Sequence, residues 1–173
     1  MVQWAPHLME AVTTQGANML HMACQVGHLE TATMLLDENA NECATTNQGN
    51  TPLHLAARSS ELAIVDLLIR RRAPLFASNK KGESPMHVAC VVGNLSVAKR
   101  FLLAGVEPAV MRDNAGRTPA QTAAAYGRDD ITDVFYGHEE AKKGDAAAGI
   151  RVPAERGITT FLMGKEPPEE GAY

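Results

Sequence analysis

The sequence predicts an all-α solenoid of four helix–turn–helix repeats followed by an irregular C-terminal tail, and three observations carry that prediction. Segments 16–24, 49–57, 82–90 and 116–124 align in register, each opening on a glycine. Those glycines lie 33, 33 and 34 residues apart, a period that marks repeat architectures. Each segment is followed by a second apolar pattern, in which Leu29, Leu35 and Leu36 recur as Leu62, Leu68 and Ile69, then as Leu95, Phe101 and Leu102. The last repeat offers only Ile131, Val134 and Phe135 there, so the pattern weakens toward the C-terminus.

Within each repeat the elements follow from residue chemistry. The glycine suits a turn that needs positive φ. Two residues later stand Asn18, Thr51, Ser84 and Thr118, whose side chains accept a hydrogen bond from an exposed helix N–H. Pro52, Pro85 and Pro119 follow at the first helical position, where a missing N–H costs nothing. Gly27, Gly93 and Gly127 then let the chain reverse into a second helix, closed by Asn39 and Gly105, which tolerate a left-handed cap. Helices of about eight to ten residues fall below the ~12–15 that persist alone in water, so they must bury their faces against neighbouring repeats. The expected division is a cap over 1–12, repeats over 13–45, 46–78, 79–112 and 113–137, and a tail over 138–173.

These motifs resemble the ankyrin-repeat family, with Thr51-Pro52-Leu53-His54-Leu55-Ala56-Ala57 the nearest match to its signature. The resemblance spans about residues 13–136 and implies paired antiparallel helices, projecting β-turn fingers and a concave binding face formed by the fingers and first helices. It also implies that His21, His54 and His87 hydrogen-bond adjoining turns, rather than bind metal or catalyse. Departures are Met19 in place of the usual proline, Arg72 in place of a closing glycine, one extra residue before Asp113, and Ala120 and Gln121 in repeat four. Arg72 implies a strained or re-routed cap, and Gly137 is expected to interrupt the fourth repeat early.

Composition is that of a globular protein, with 45% hydrophobic and 21% charged residues and a net charge of −4. No apolar run approaches the ~20 residues needed to span a bilayer, and residues 1–14 lack the Lys or Arg of a secretory or transit leader. Cys24, Cys43 and Cys90 are odd in number and not closely paired, against a disulfide framework or a zinc site and for a reducing compartment. The expected location is the cytoplasm, with nucleus or cytoskeleton as alternatives. No phosphate loop, nucleophile elbow or dinucleotide fingerprint is present. No enzyme activity, cofactor, metal or catalytic residue is therefore expected, and Asp129, Asp130 and Asp133 read as a solvated helix start.

Charge is uneven. Residues 1–57 carry −5, residues 58–117 carry +5 and residues 118–173 carry −4. The basic band is densest at Arg70, Arg71, Arg72, Lys80 and Lys81. A solvated edge explains it, and so does a contact for an acidic partner. Nucleic acid fits poorly, because no aromatic residues are interleaved for stacking.

By the family resemblance, variable contact positions fall on the turn tips and first-helix ends. Here these include Arg58, Lys80, Lys81, Glu83, Val91, Val92, Arg117 and Tyr126. The three apolar residues among them would form a centre rimmed by Arg58, Lys81 and Arg117, or the valines would simply pack against the next repeat. In the tail, glycines and prolines argue against a long helix, yet residues 157–164 form an apolar segment with Phe161, Leu162 and Met163. Such a segment docks back onto the last repeat or into another protein. The expected function is a non-enzymatic protein-interaction module, an adaptor or complex subunit. A regulatory inhibitor of an enzyme or transcription factor and a structural component of a large assembly are the alternatives.

Overall fold

The structure, a computed structural model, describes residues 11–59 and 61–147. Four helix pairs follow one another: α1 (Met19–Val26) with α2 (Leu29–Asp37), α3 (Pro52–Arg58) with α4 (Leu62–Arg70), α5 (Pro85–Val92) with α6 (Leu95–Leu103), and α7 (Pro119–Ala125) with α8 (Asp129–Ala147). No strand occurs among the described residues. First helices pack in one row and second helices in another. Buried Ala23, Ala56, Ala57, Ala89 and Ala123 let the first-helix row close tightly, while Leu20, Leu53, Met86, Phe101 and Phe135 fill the core.

Each first helix starts on a reciprocal capping box, made by Asn18 with His21, Thr51 with His54, Ser84 with His87 and Thr118 with Gln121. The three histidines are buried. Their Nδ1 atoms accept from the backbone N–H of Asn18, Thr51 and Ser84 at 3.3, 3.1 and 3.2 Å. Nδ1 is thus the acceptor and Nε2–H the donor, which reaches the carbonyl oxygens of Asn50, Glu83 and Arg117 at 3.0, 2.9 and 3.0 Å. Each imidazole therefore ties one helix start to the finger of the next repeat. Gln121 keeps the box in repeat four, where no further finger follows among the described residues.

The fingers also join one another. Backbone N–H groups of Asn47, Lys80 and Asn114 donate to Gln15, Gln48 and Lys81 carbonyls at 2.8, 2.9 and 3.0 Å. This close approach explains the turn glycines at Gly16, Gly49 and Gly82, whereas Gly116 is explained by its φ of +76° alone. A Cβ at Gly82 (φ +73°) would lie 2.6 Å from the Asn114 nitrogen.

Second helices end in a left-handed residue, Asn39, Arg72 or Gly105, with φ of +63°, +60° and +83°. Paired bonds such as Ala73 N–H to Leu68 O and Arg72 N–H to Ile69 O close each end. The motif is kept at Arg72 against the strain of a side chain at positive φ. Two ion pairs, Asp37–Arg71 and Asp66–Arg100, link consecutive second helices.

One expectation fails. Gly137 does not interrupt the fourth repeat, and α8 runs 19 residues through both Gly137 and Gly144. Ile131, Phe135 and His138 are buried along one face of it, and the run Glu139-Glu140-Ala141-Lys142-Lys143 is rich in helix formers. Together these outweigh the ~1 kcal/mol that each interior glycine costs. At the other end, the outward face of repeat one presents an open apolar groove of about 500 Å3 between Val12, Met19, Met22 and Val26. The cap expected over 1–12 falls largely on residues outside those described.

Burial of the three imidazoles is the main cause of their lowered pKa, only partly offset by the hydrogen bonds to the next finger and by nearby Glu83 and Asp113. The unfolded chain, titrating near 6.5, takes up protons that the folded chain excludes, so stability is full above pH 6.5 and declines as pH falls below it. Thermal melts should give a Tm lower by roughly 5 °C or more at pH 5.5 than at pH 7.5. His54→Gln should flatten that slope while lowering stability at neutral pH by about 1–3 kcal/mol, because it keeps the box and leaves the Glu83 carbonyl unpaired. A pH-independent Tm for the natural chain would contradict this account.

Candidate functional site

Between the second, third and fourth repeats the concave side opens into a groove of about 320 Å3. Six of the residues singled out from the sequence line it: Arg58, Lys81, Glu83, Val91, Val92 and Tyr126. Arg58 is the last residue of α3, and Val91 and Val92 close α5. Tyr126 caps α7, and Lys81 sits on the finger tip. Val92 and Tyr126 are 41% and 49% exposed, far more than valine or tyrosine packed into a neighbouring repeat, while Val91 is half-buried above buried Val88.

The rim is organised by a residue the sequence reading passed over. Asn79 Oδ1 accepts from the backbone N–H of Lys81 and Glu83 at 2.9 and 3.0 Å, which shapes the finger. Its Nδ2 donates to Asn50 Oδ1 and to Glu83 Oε2, both at 3.0 Å, which holds the groove's carboxylate in place. The signal was present in the repeat alignment, since Thr13, Thr46, Asn79 and Asp113 all stand three residues before the turn glycine and all offer a side-chain acceptor.

Asp113 plays that part in the next finger, and there it engages Arg117. Its carboxylate accepts from the Arg117 backbone N–H at 2.8 Å and from Arg117 Nε at 3.0 Å, with an ion pair at 2.9 Å. Burial pushes the Asp113 carboxyl upward, but the Arg117 bonds outweigh it and hold the group below the usual range. Arg117 is thus turned onto its own finger and does not line the groove. Lys80 is exposed on the finger edge, also outside the groove. Phe161, Leu162 and Met163 lie outside the described residues.

Arg58 and Lys81 form no ion pair among the described residues, whereas Arg71, Arg100 and Arg117 are each engaged. Of the band's basic residues, Arg58 and Lys81 are the two that line the groove. The helix ends beneath it are pinned from the following repeat. Asn94 Nδ2 donates to the Ser59 carbonyl at 2.8 Å, and Arg128 Nη2 donates to the Val91 carbonyl at 3.3 Å. Spacing alone did not reveal these contacts, because both bridge residues that differ from repeat to repeat.

Chemically the groove offers apolar contact, two cations and fixed amide and carboxylate groups. Among the described residues no cluster of His, Cys, Asp or Glu could hold a metal. The stacked histidines have both ring nitrogens engaged. Cys24 and Cys90 are buried, with burial pushing their thiols up to about 12, while Cys43 is exposed; all three are free. No described helix is long and apolar enough to cross a membrane.

Paired helices, linked fingers and a concave groove define a repeat protein of the α-solenoid class. The family model for ankyrin repeats (3 copies) matches residues 4–75 and 64–145. The chain belongs to the ankyrin-repeat family, whose members are generally protein–protein interaction modules. No curated protein matches it.

Gly93 supports this site through two effects that can be separated. It caps α5 at φ +84°, and a Cβ there would lie 2.7 Å from Arg128 Nε. Gly93→Ala should destabilise the chain by about 1–2 kcal/mol from backbone strain, with the clash adding to that. In an Arg128→Ala background the penalty should shrink toward the strain alone, measurable by urea unfolding of the four-member cycle. Equal penalties in both backgrounds would remove Arg128 from the account.

Proposed function

We propose that this chain is a non-enzymatic adaptor or subunit of a multiprotein complex, and that it grips a protein partner with an acidic surface through the groove between repeats two and four. The observation that supports this most is the meeting of Arg58, Lys81, Val91, Val92 and Tyr126 around one open space. An apolar centre with a charged rim is the anatomy of recognition surfaces. The two cations, free of ion pairs among the described residues, add attraction that is strongest at low salt. On this reading Lys80 and Arg117 flank the contact, residues 1–12 cover the apolar face of repeat one, and the segment with Phe161, Leu162 and Met163 is a second contact. Three free thiols suit a reducing compartment such as the cytoplasm.

Capture of partners from native extract, read by crosslinking mass spectrometry, tests the assignment. Val91→Glu should abolish capture, and Arg58→Glu with Lys81→Glu should weaken it about tenfold at low salt and less at high salt. Circular dichroism melts should stay within a few degrees of the natural chain. Partners retained by both variants, with the fold intact, would place recognition elsewhere.

A further inference from the structure

We propose that the chain's own segment 161–170 docks into this groove in cis, so that the recognition face is covered until a partner displaces it. The inference rests on the groove being that face. Two complementarities carry it. The groove has an apolar floor of Val88, Val91, Val92 and Tyr126 beside two cations that form no ion pair among the described residues, Arg58 and Lys81, and one carboxylate, Glu83. The segment reads Phe161-Leu162-Met163-Gly164-Lys165-Glu166-Pro167-Pro168-Glu169-Glu170. Its three apolar residues match the floor, its three carboxylates match Arg58 and Lys81, and its single cation, Lys165, matches Glu83. Proline favours extended backbone, so Pro167 and Pro168 would lower the entropy lost on docking.

Reach permits it. Tyr126 stands three residues before α8, which spans about 27 Å from Asp129 to Ala147. Thirteen residues separate Ala147 from Phe161. At about 3.3 Å per residue they cover roughly 45 Å, enough to return along the whole helix and cross to the neighbouring repeat. Because both ends belong to one chain, the segment acts at an effective concentration of about 1 mM. An intrinsic Kd of about 0.1 mM would then keep the groove covered about nine-tenths of the time and weaken any competitor about tenfold.

The test uses the full chain. One form is natural and the other carries Phe161→Ser, Glu166→Lys, Glu169→Lys and Glu170→Lys. The probe is a fluorescein-labelled synthetic peptide of residues 157–172, followed by anisotropy. The variant chain should bind the probe about tenfold tighter than the natural chain, and adding Arg58→Glu and Lys81→Glu should remove that binding. In the natural monomer, zero-length crosslinking should join Lys81 to Glu166, Glu169 or Glu170. Equal binding to both chains, no binding to either, or binding that survives Arg58→Glu and Lys81→Glu overturns the proposal. Crosslinks confined to dimers assign the segment to a second copy and also overturn it. If probe binding is absent while partner capture still depends on Arg58 and Lys81, the tail assignment falls and the recognition face stands.

Discussion

A helix of seven to nine residues does not hold its shape alone in water, so each unit of this stack depends on the next one for its starting geometry. The buried imidazole supplies that dependence. Nδ1 completes the capping box of its own helix while Nε2–H bonds the following finger's carbonyl, so one side chain satisfies polar groups in two repeats. Removing it would leave a buried carbonyl unpaired as well as a helix start uncapped. The same geometry presses the fingers together, and the turn glycines of the first three repeats follow from that closeness.

The electrostatics of the concave face follow from pairing more than from composition. The central band carries ten basic residues, but Arg71 and Arg100 reach back to aspartates of the preceding second helix and Arg117 turns onto Asp113. An exposed pair such as Asp37–Arg71 contributes only about 0–1 kcal/mol to stability. The pairs' larger consequence is spatial, since they offset one positive charge on each of two second-helix contacts and one on the fourth finger. What stays free at the groove is Arg58 with Lys81, next to an apolar floor that the capping of α5 and α7 leaves open.

Helix α8 differs from the other second helices because nothing stacks beyond it among the described residues. Ile131, Phe135 and His138 still give it one buried face, and its continuation carries the chain well past the repeat boundary. A glycine read in isolation suggested a stop there. Packing on one side and a run of helix formers on the other overrode that local preference.

The order of the elements, their caps, the reversal glycines and the inward leucines were legible in the sequence, because a repeat writes the same local rules four times in register. So were six of the residues that line the groove, since turn tips and first-helix ends are the places a stack leaves uncovered. Tertiary structure alone decided which charges are spent and which are free, that Asn79 fixes Glu83, that Arg128 pins α5, and that α8 passes two glycines. Each depends on which particular side chains come within hydrogen-bonding or packing distance, inside a finger or across repeats, and a one-dimensional pattern records what every repeat shares, whereas these contacts are made by what differs between them.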